Sequence, residues 1–314
     1  MSEKIKVLVL GASGMLGGML CRVLGRDPAL EVHATVRTAE QLPEVAADLP
    51  GIELRCFNAL GTSEGWKEFF SGYRYIINAV GITKQTIREE NPADVKRAIL
   101  VNALFPHQLA GATAQLETEI LQVATDCVFS GDYGRYEESA FDDTLDVYGK
   151  TKSLGEVSAP HVHHLRCSIV GPDPRKAVSL LEWLLQHGPH AWVRGFNNHF
   201  WNGLTSYHFA RICQGIMRNG LTLPLLQHVV PADRISKLDL LRLFAEVYGR
   251  TDLMIEEFES DVPSDRSLAT LNLDLNLQLW QAAGYKRPPT IAEMVRELAE
   301  VEPRLGYSPR KVAV

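Results

Sequence analysis

Short apolar runs alternate with longer stretches of helical spacing through the first half of the chain. Residues 4–10 (KIKVLVL) form a β-branched and leucine-rich run ending at Gly11, the pattern of a strand buried on both faces of a parallel sheet. Residues 15–24 then place apolar side chains at helical intervals. Further strands are predicted over residues 31–36, 52–56, 75–80, 119–124 and 163–170. Asn91-Pro92 supplies an N-cap and a first-turn proline for a long helix reaching about Ala114, and a second helix is expected over residues 147–158. This rhythm predicts an α/β fold with a doubly wound parallel sheet over residues 1–170. It stops after Gly171-Pro172-Asp173-Pro174, where Trp183, Trp192, Phe196, Phe200 and Trp201 crowd a short stretch. Residues 171–314 are expected to form mainly a smaller C-terminal α/β lobe that binds substrate and can return elements to the first domain. Amphipathic helices are predicted there over residues 238–248 and 291–301.

Composition narrows the class. A chain of 314 residues can bury a sizeable core, and its formal net charge of -6 with no basic stretch gives no reason to expect a nucleic-acid partner. Five cysteines, Cys21, Cys56, Cys127, Cys167 and Cys213, are scattered without a CxxC pair, so neither a disulfide framework nor a zinc site is expected. His161, His163, His164, His187, His190 and His199 lack acids or cysteines at ligand spacing, and no metal is assigned. No signal-peptide pattern or apolar run long enough to span a bilayer is evident. A cytoplasmic protein is expected, with a homodimer as the default assembly.

The turn after the first strand reads Gly11-Ala12-Ser13-Gly14-Met15-Leu16-Gly17. Missing side chains there let backbone N–H groups and a positive helix terminus approach a pyrophosphate, which makes residues 1–170 the candidate dinucleotide-binding domain. At the end of the second strand, Thr35-Val36-Arg37 lacks the acid that holds the ribose 2′-hydroxyl of NAD. The Arg37 guanidinium suits a 2′-phosphate instead, so NADP(H) is expected with NAD(H) as the alternative; the competing role for Arg37 is a solvated surface charge. Tyr148 and Lys152 are four residues apart, on one face of a helix. The ammonium is expected to lower the phenol's pKa and prepare it to protonate a carbonyl oxygen. Thr125 follows the fifth strand, at a strand end that faces the ligand crevice.

These three elements resemble the extended short-chain dehydrogenase/reductases, whose sheet is Rossmann-like. Thr125-Asp126-Cys127-Val128-Phe129-Ser130-Gly131, Leu165-Arg166-Cys167-Ser168-Ile169-Val170-Gly171 and Asn202-Gly203-Leu204-Thr205-Ser206 are more narrowly similar to the dTDP-4-dehydrorhamnose reductase-like, sugar-nucleotide reductase branch. The resemblance implies a catalytic set of Thr125, Tyr148 and Lys152. It also implies NADPH-dependent reduction at C4 of a nucleotide-activated 4-keto-6-deoxysugar, in surface polysaccharide biosynthesis. Gly11, Ser13, Gly14, Met15, Leu16, Gly17, Arg37, Asn58, Ala59, Ala79, Val80, Gly81, Tyr148, Lys152 and Cys167 become candidate cofactor contacts. Asn102 joins them, either orienting Lys152 or merely pinning its helix. Asn58 stands where many relatives carry aspartate.

Substrate contacts are expected from Lys84, Asp126, Cys127, Trp201, Asn202 and Arg266, with Gln85 beside Lys84; Arg266 would clamp a pyrophosphate. The related 4,6-dehydratases have glutamate where Cys127 stands, so dehydration is disfavoured. Rhamnose-pathway reductases more often have tyrosine there, which leaves the sugar open. Cys127 is either a buried filler or a nucleophile. Two rival functions fit the same residues: a nucleotide-sugar epimerase, and an NADP-binding regulatory subunit without turnover.

Overall fold

The computed structural model of the chain describes residues 3–173 and 179–302, so Pro174 of the Gly-Pro-Asp-Pro stop lies outside the described residues. Seven parallel strands form the main sheet. Their spatial order is Leu226–His228, β6 (Val162–Arg166), β5 (Glu119–Ala124), β4 (Tyr75–Asn78), β1 (Ile5–Leu10), β2 (Leu30–Val36) and β3 (Glu53–Cys56). The chain runs outward from β1 to β3 and then returns to β4 on the other side of β1. That reversal splays the connections apart and opens a crevice at the carboxyl ends of β1 and β4.

Alternation along β1 feeds two separate cores. Val7 and Val9 face one side, Leu8 and Leu10 the other, and all four are fully buried. On the first face the sheet packs under helices Met15–Leu24, Ser206–Asn219 and Leu273–Ala282, with Leu20, Phe209 and Trp280 in the interior. On the second, Phe57 packs among Trp66, Phe69, Phe70 and Phe105 in tilted pairs at ring separations of 5.1, 5.2, 5.3 and 5.7 Å. Covering both faces is what lets strands as apolar as β1 be buried throughout.

Beyond β6 the chain builds small sheets. Trp192–Phe196 pairs with Met254–Phe258, and His199–Trp201 lies between Ile235–Ser236 and Ser264–Asp265. The strand expected over residues 163–170 is divided in two. Ile169–Val170 leaves the main sheet and pairs with Leu204–Thr205, drawn off by the bond from Leu204 N to the Ser168 carbonyl at 2.8 Å. The edge strand Leu226–His228 was not anticipated; three residues after Pro224 are too few to show a period.

The helix expected from Asn91 starts as read, with Asn91 Oδ1 accepting from Ala93 N at 3.0 Å. Its middle, Ile99–Leu104, widens into a π turn closed by Phe105 N on the Leu100 carbonyl. Pro106 has no N–H to give the Asn102 carbonyl, so the regular ladder breaks there. The following helix, Val147–Leu154, is shorter than expected because the Gly155 N–H turns back onto the Thr151 and Lys152 carbonyls. No helix among the described residues is long and apolar enough to cross a membrane.

Candidate active site

A cleft of about 560 Å³ lies over the β1–β4 reversal. One wall is backbone. The turn after β1 hangs from β2, with Gly11 N donating to Thr35 Oγ1 at 3.2 Å and Ala12 N to the Thr35 carbonyl at 2.8 Å. Gly11 has φ +92°, and a Cβ on Gly17 would sit 2.1 Å from the Gly11 carbonyl oxygen, so helix Met15–Leu24 approaches the turn only without a side chain there. The terminus of that helix has Gly14 as N-cap and no side chain covering its N–H groups. Gly11, Ser13, Gly14, Met15 and Leu16 line the cleft, while Gly17 sits beneath it as the packing contact.

Arg37, Asn58, Ala59, Ala79, Val80 and Gly81 line the same cleft. The Arg37 backbone is held by Gln41 Oε1 at 3.0 Å, and its exposed guanidinium has no ion pair among the described residues. Asn58 uses Oδ1 to accept from Leu60 N at 3.1 Å. This wall fits a phosphorylated dinucleotide: an uncapped helix end for a pyrophosphate, and a free cation where a 2′-phosphate would lie.

Thr125, Tyr148 and Lys152 converge behind the Asp126–Cys127 section of the wall. Thr125 leaves the end of β5, and its Oγ1 accepts from Cys127 N at 3.2 Å and donates to Asp126 Oδ1 at 3.3 Å, while lying close enough to the Tyr148 phenol to act on its ionisation. Asp146 caps the tyrosine helix through Gly149 N at 2.7 Å. Gly149 lets that helix rest on the turn after β5, since a Cβ would lie 2.2 Å from the Cys127 carbonyl oxygen. At its far end, Glu156 takes both of its bonds, each 2.6 Å, from Arg166 on β6. The three candidate catalytic side chains are therefore gathered together, but none is itself on the cleft wall; Asp126 and Cys127 are.

The expected electrostatics of the pair need correction. Lys152 Nζ donates to the Val123 carbonyl at 2.8 Å, and burial pulls its pKa down to about 8. Burial, with Cys127, Asp126 and Asp146 nearby, pushes the Tyr148 phenol above its ordinary value, against the opposing influence of Thr125. Whatever the ammonium contributes to the phenolate is outweighed by burial, and the phenol is not acidic. It is held protonated instead.

Several substrate and cofactor candidates sit elsewhere. Asn202 spends its amide on the Leu268 backbone, donating to its carbonyl at 2.7 Å and accepting from its N–H at 2.8 Å, and does not line the cleft. Lys84 is exposed and paired with Asp146 at 2.7 Å, while Thr83 and Gln85 beside it form the wall. Cys167 is 2% exposed inside the main core, and Ser168, Ile169 and Val170 line the cleft in its place. Asn102 also lies off the wall. It clamps the Ile82 backbone, accepting at 2.8 Å and donating at 2.9 Å, and reaches Thr151 Oγ1 at 3.3 Å, which ties the loop after β4 to the tyrosine helix.

Asp126, Cys127, Trp201 and Arg266 do line the cleft. Burial pushes the Cys127 thiol up to about 12, so it is not a ready nucleophile although it lines the cleft. All five cysteines are unpaired, and among the described residues no His, Cys, Asp and Glu group is arranged to hold a metal. Thr35 and Lys237 were not foreseen. A threonine ending a strand carries no signal of its own, and Lys237 opens a helix whose apolar spacing drew attention only to its packing face.

A doubly wound sheet with its cleft at the topological switch defines a dinucleotide-fold α/β protein. Within that class, the family model described as RmlD substrate binding domain matches residues 5–170, more than half of the chain, and the chain belongs to that family. A dTDP-4-dehydrorhamnose reductase of Mycolicibacterium smegmatis is 26% identical over 154 residues, 48% of this chain and 40% of that protein. A dTDP-4-dehydrorhamnose reductase of Mycobacterium tuberculosis is 35% identical over 118 residues, 36% of this chain and 34% of that protein. The matches span less than half the length of these curated relatives. In fold, the chain is similar to a Bacillus anthracis dTDP-4-dehydrorhamnose reductase solved with NADP (TM-score 0.71, 15% identity, 95% of this chain and 99% of that one). It is equally similar to a Bacillus cereus UDP-glucuronic acid 4-epimerase (TM-score 0.72, 16% identity, with the same coverage).

Proposed function

We propose that the protein is an NADPH-dependent reductase of a nucleotide-activated 4-keto-6-deoxysugar, with Tyr148 as proton donor. The observation that carries this reading is the placement of the Tyr148 phenol beside Thr125 at the carboxyl end of β5, next to the Asp126–Cys127 section of a cleft whose other wall fits a phosphorylated dinucleotide. Bound NADPH supplies the hydride. Thr125 Oγ1 aligns the phenol and offers a second contact to the substrate carbonyl oxygen. Burial keeps the Tyr148 proton in place at neutral pH, so the phenol is a loaded donor for the oxygen that gains charge as the hydride arrives. Lys152, anchored on the Val123 carbonyl, provides the positive charge that steadies Tyr148 once the proton has left. Asn102 acts on this pair as a positioning residue, through Ile82 and Thr151.

In this proposal Arg37 selects NADP over NAD, and residues from the second lobe, Trp201 and Arg266, join Asp126 and Cys127 around the sugar nucleotide. The names of the relatives, four of them dTDP-4-dehydrorhamnose reductases and one a spore coat polysaccharide biosynthesis protein of Bacillus subtilis, support a place in polysaccharide biosynthesis. The test is NADPH consumption with dTDP-, UDP- and GDP-linked 4-keto sugars. Stoichiometric consumption with one of them supports the reading. Isomerised sugar without net consumption would assign an epimerase, and tight NADP binding with no turnover of any sugar would assign a regulatory role.

A further inference from the structure

The tyrosine helix is pinned at its far end as firmly as at its start. A Cβ on Gly155 would lie 2.0 Å from the Asn102 carbonyl oxygen, so the chain leaves the helix pressed against the π turn, and the next residue, Glu156, meets β6. Both Glu156 carboxylate oxygens accept from Arg166 Nη2 at 2.6 Å. Arg166 is held in turn: it is 1% exposed, its guanidinium lies 5.0 Å from the centre of the Phe129 ring, and Nη1 donates to His228 Nε2 at 3.3 Å. The Val123 carbonyl that takes Lys152 immediately precedes Ala124, which pairs with Arg166 across β5 and β6. Ammonium, carboxylate and guanidinium are therefore fixed over one stretch of the same ladder, with Glu156 four residues after Lys152.

A negative charge at this place matters because burial draws Lys152 down to about 8, and the largest influence opposing that is Glu156. The other groups around Lys152 leave the task to this carboxylate. Tyr148 on the same helix is held protonated, and the Cys127 thiol on the turn after β5 is pushed up to about 12. Burial pulls His164 on β6 and His228 on the edge strand down to about 4. None of these changes charge in the range where Lys152 does. Burial also raises the Glu156 carboxyl and Asp142 adds to the rise, while Arg166 and then Lys152 act against it. Arg166 thus keeps Glu156 ionised where a carboxylate without a partner would take up a proton.

We propose that Glu156, clamped by Arg166, is a positioning residue that preserves the ammonium of Lys152 for proton transfer from Tyr148. The inference rests on the reductase reading and extends its proton machinery by one ion pair, away from the cleft. Removing the carboxylate leaves the Arg166 cation unmatched near Lys152. Removing the guanidinium leaves the carboxylate free to act on Lys152 alone. The two partners of one ion pair therefore push Lys152 in opposite directions, which a purely structural pair would not do.

The test follows the Lys152 Cε resonance against pH in protein isotope-labelled at the lysine Cε, assigned with Lys152→Met, for the wild type, Glu156→Gln and Arg166→Met. Glutamine keeps the shape of the side chain and an acceptor for Arg166, so the first variant removes the charge alone. The expected midpoint falls by about one pH unit in Glu156→Gln and holds or rises in Arg166→Met, and the alkaline limb of kcat/KM follows it in both. A fall in Arg166→Met would overturn the inference, because the pair would then only shape local packing. An unchanged midpoint in Glu156→Gln would overturn it as well, and either variant decides alone if the other does not fold. A midpoint that moves while the kcat/KM limb stays fixed would remove Glu156 from the reaction. The titration needs no substrate: a Glu156-dependent midpoint in protein that turns over no keto sugar would sink the reductase reading and leave the hold of Glu156 on Lys152 standing.

Discussion

The two walls of the cleft are built by different means. On the side of β1 and helix Met15–Leu24 the surface is main chain, shaped by glycines and by the end of a helix. On the other side it is a set of side chains, Trp201, Lys237 and Arg266, brought from distant segments by a three-stranded sheet. A backbone wall offers the same amides whatever ligand occupies it, and so suits a shared cofactor. A wall of side chains changes with each substitution and suits a selected substrate. Thr125, Tyr148 and Lys152 lie behind the section where these walls meet.

Substitutions that break the joint should have the largest effect. Gly149→Ala places a Cβ 2.2 Å from the Cys127 carbonyl oxygen and 2.5 Å from Thr144 Cγ2, so the tyrosine helix must move. We expect a fall in kcat of about a hundredfold and a stability cost of about 1–3 kcal/mol, read by steady-state kinetics and denaturant melts. Activity near the wild type would show that the fit of this helix on the turn after β5 does not set the geometry. Arg37→Ala probes the backbone wall where it borrows a side chain. It should raise the KM for NADPH about tenfold and leave that for NADH within about twofold, since only the 2′-phosphate loses a partner. Equal effects on both cofactors would remove Arg37 from cofactor selection.

A smaller effect is expected from pH. Burial pulls Lys152 down to about 8, so its ammonium is intact below that pH and is lost as pH rises through it. If the charge is needed, kcat/KM falls on the alkaline side with an apparent pKa near about 8. A profile flat well above that value would mean that the neutral amine serves equally well.

The contrast between the walls also explains what could be read from the chain. The apolar run of β1, the glycines after it and the Asn91-Pro92 helix start are local signals, and each lies where it was expected. Tyr148 and Lys152 do share a helix, as their spacing required. Their electrostatics were misread because burial dominates both groups and no spacing reveals it; the partner of Lys152, the Val123 carbonyl, is 29 residues away in the chain. Asn202 was taken for a ligand because side-chain chemistry alone does not show that both ends of its amide are spent on Leu268. Lys237 was overlooked for the opposite reason: its position in the cleft follows from strand register in the second lobe, and strands of two or three residues leave no periodic trace.

The central claim is that Tyr148 delivers the proton. The most direct measurement is single-turnover reduction of a nucleotide-linked 4-keto sugar by NADPH-saturated Tyr148→Phe protein, alongside NADPH titration of the same variant. The account predicts unchanged NADPH affinity and a chemical step slowed by about a hundredfold or more. A chemical step as fast as that of the wild type would contradict it.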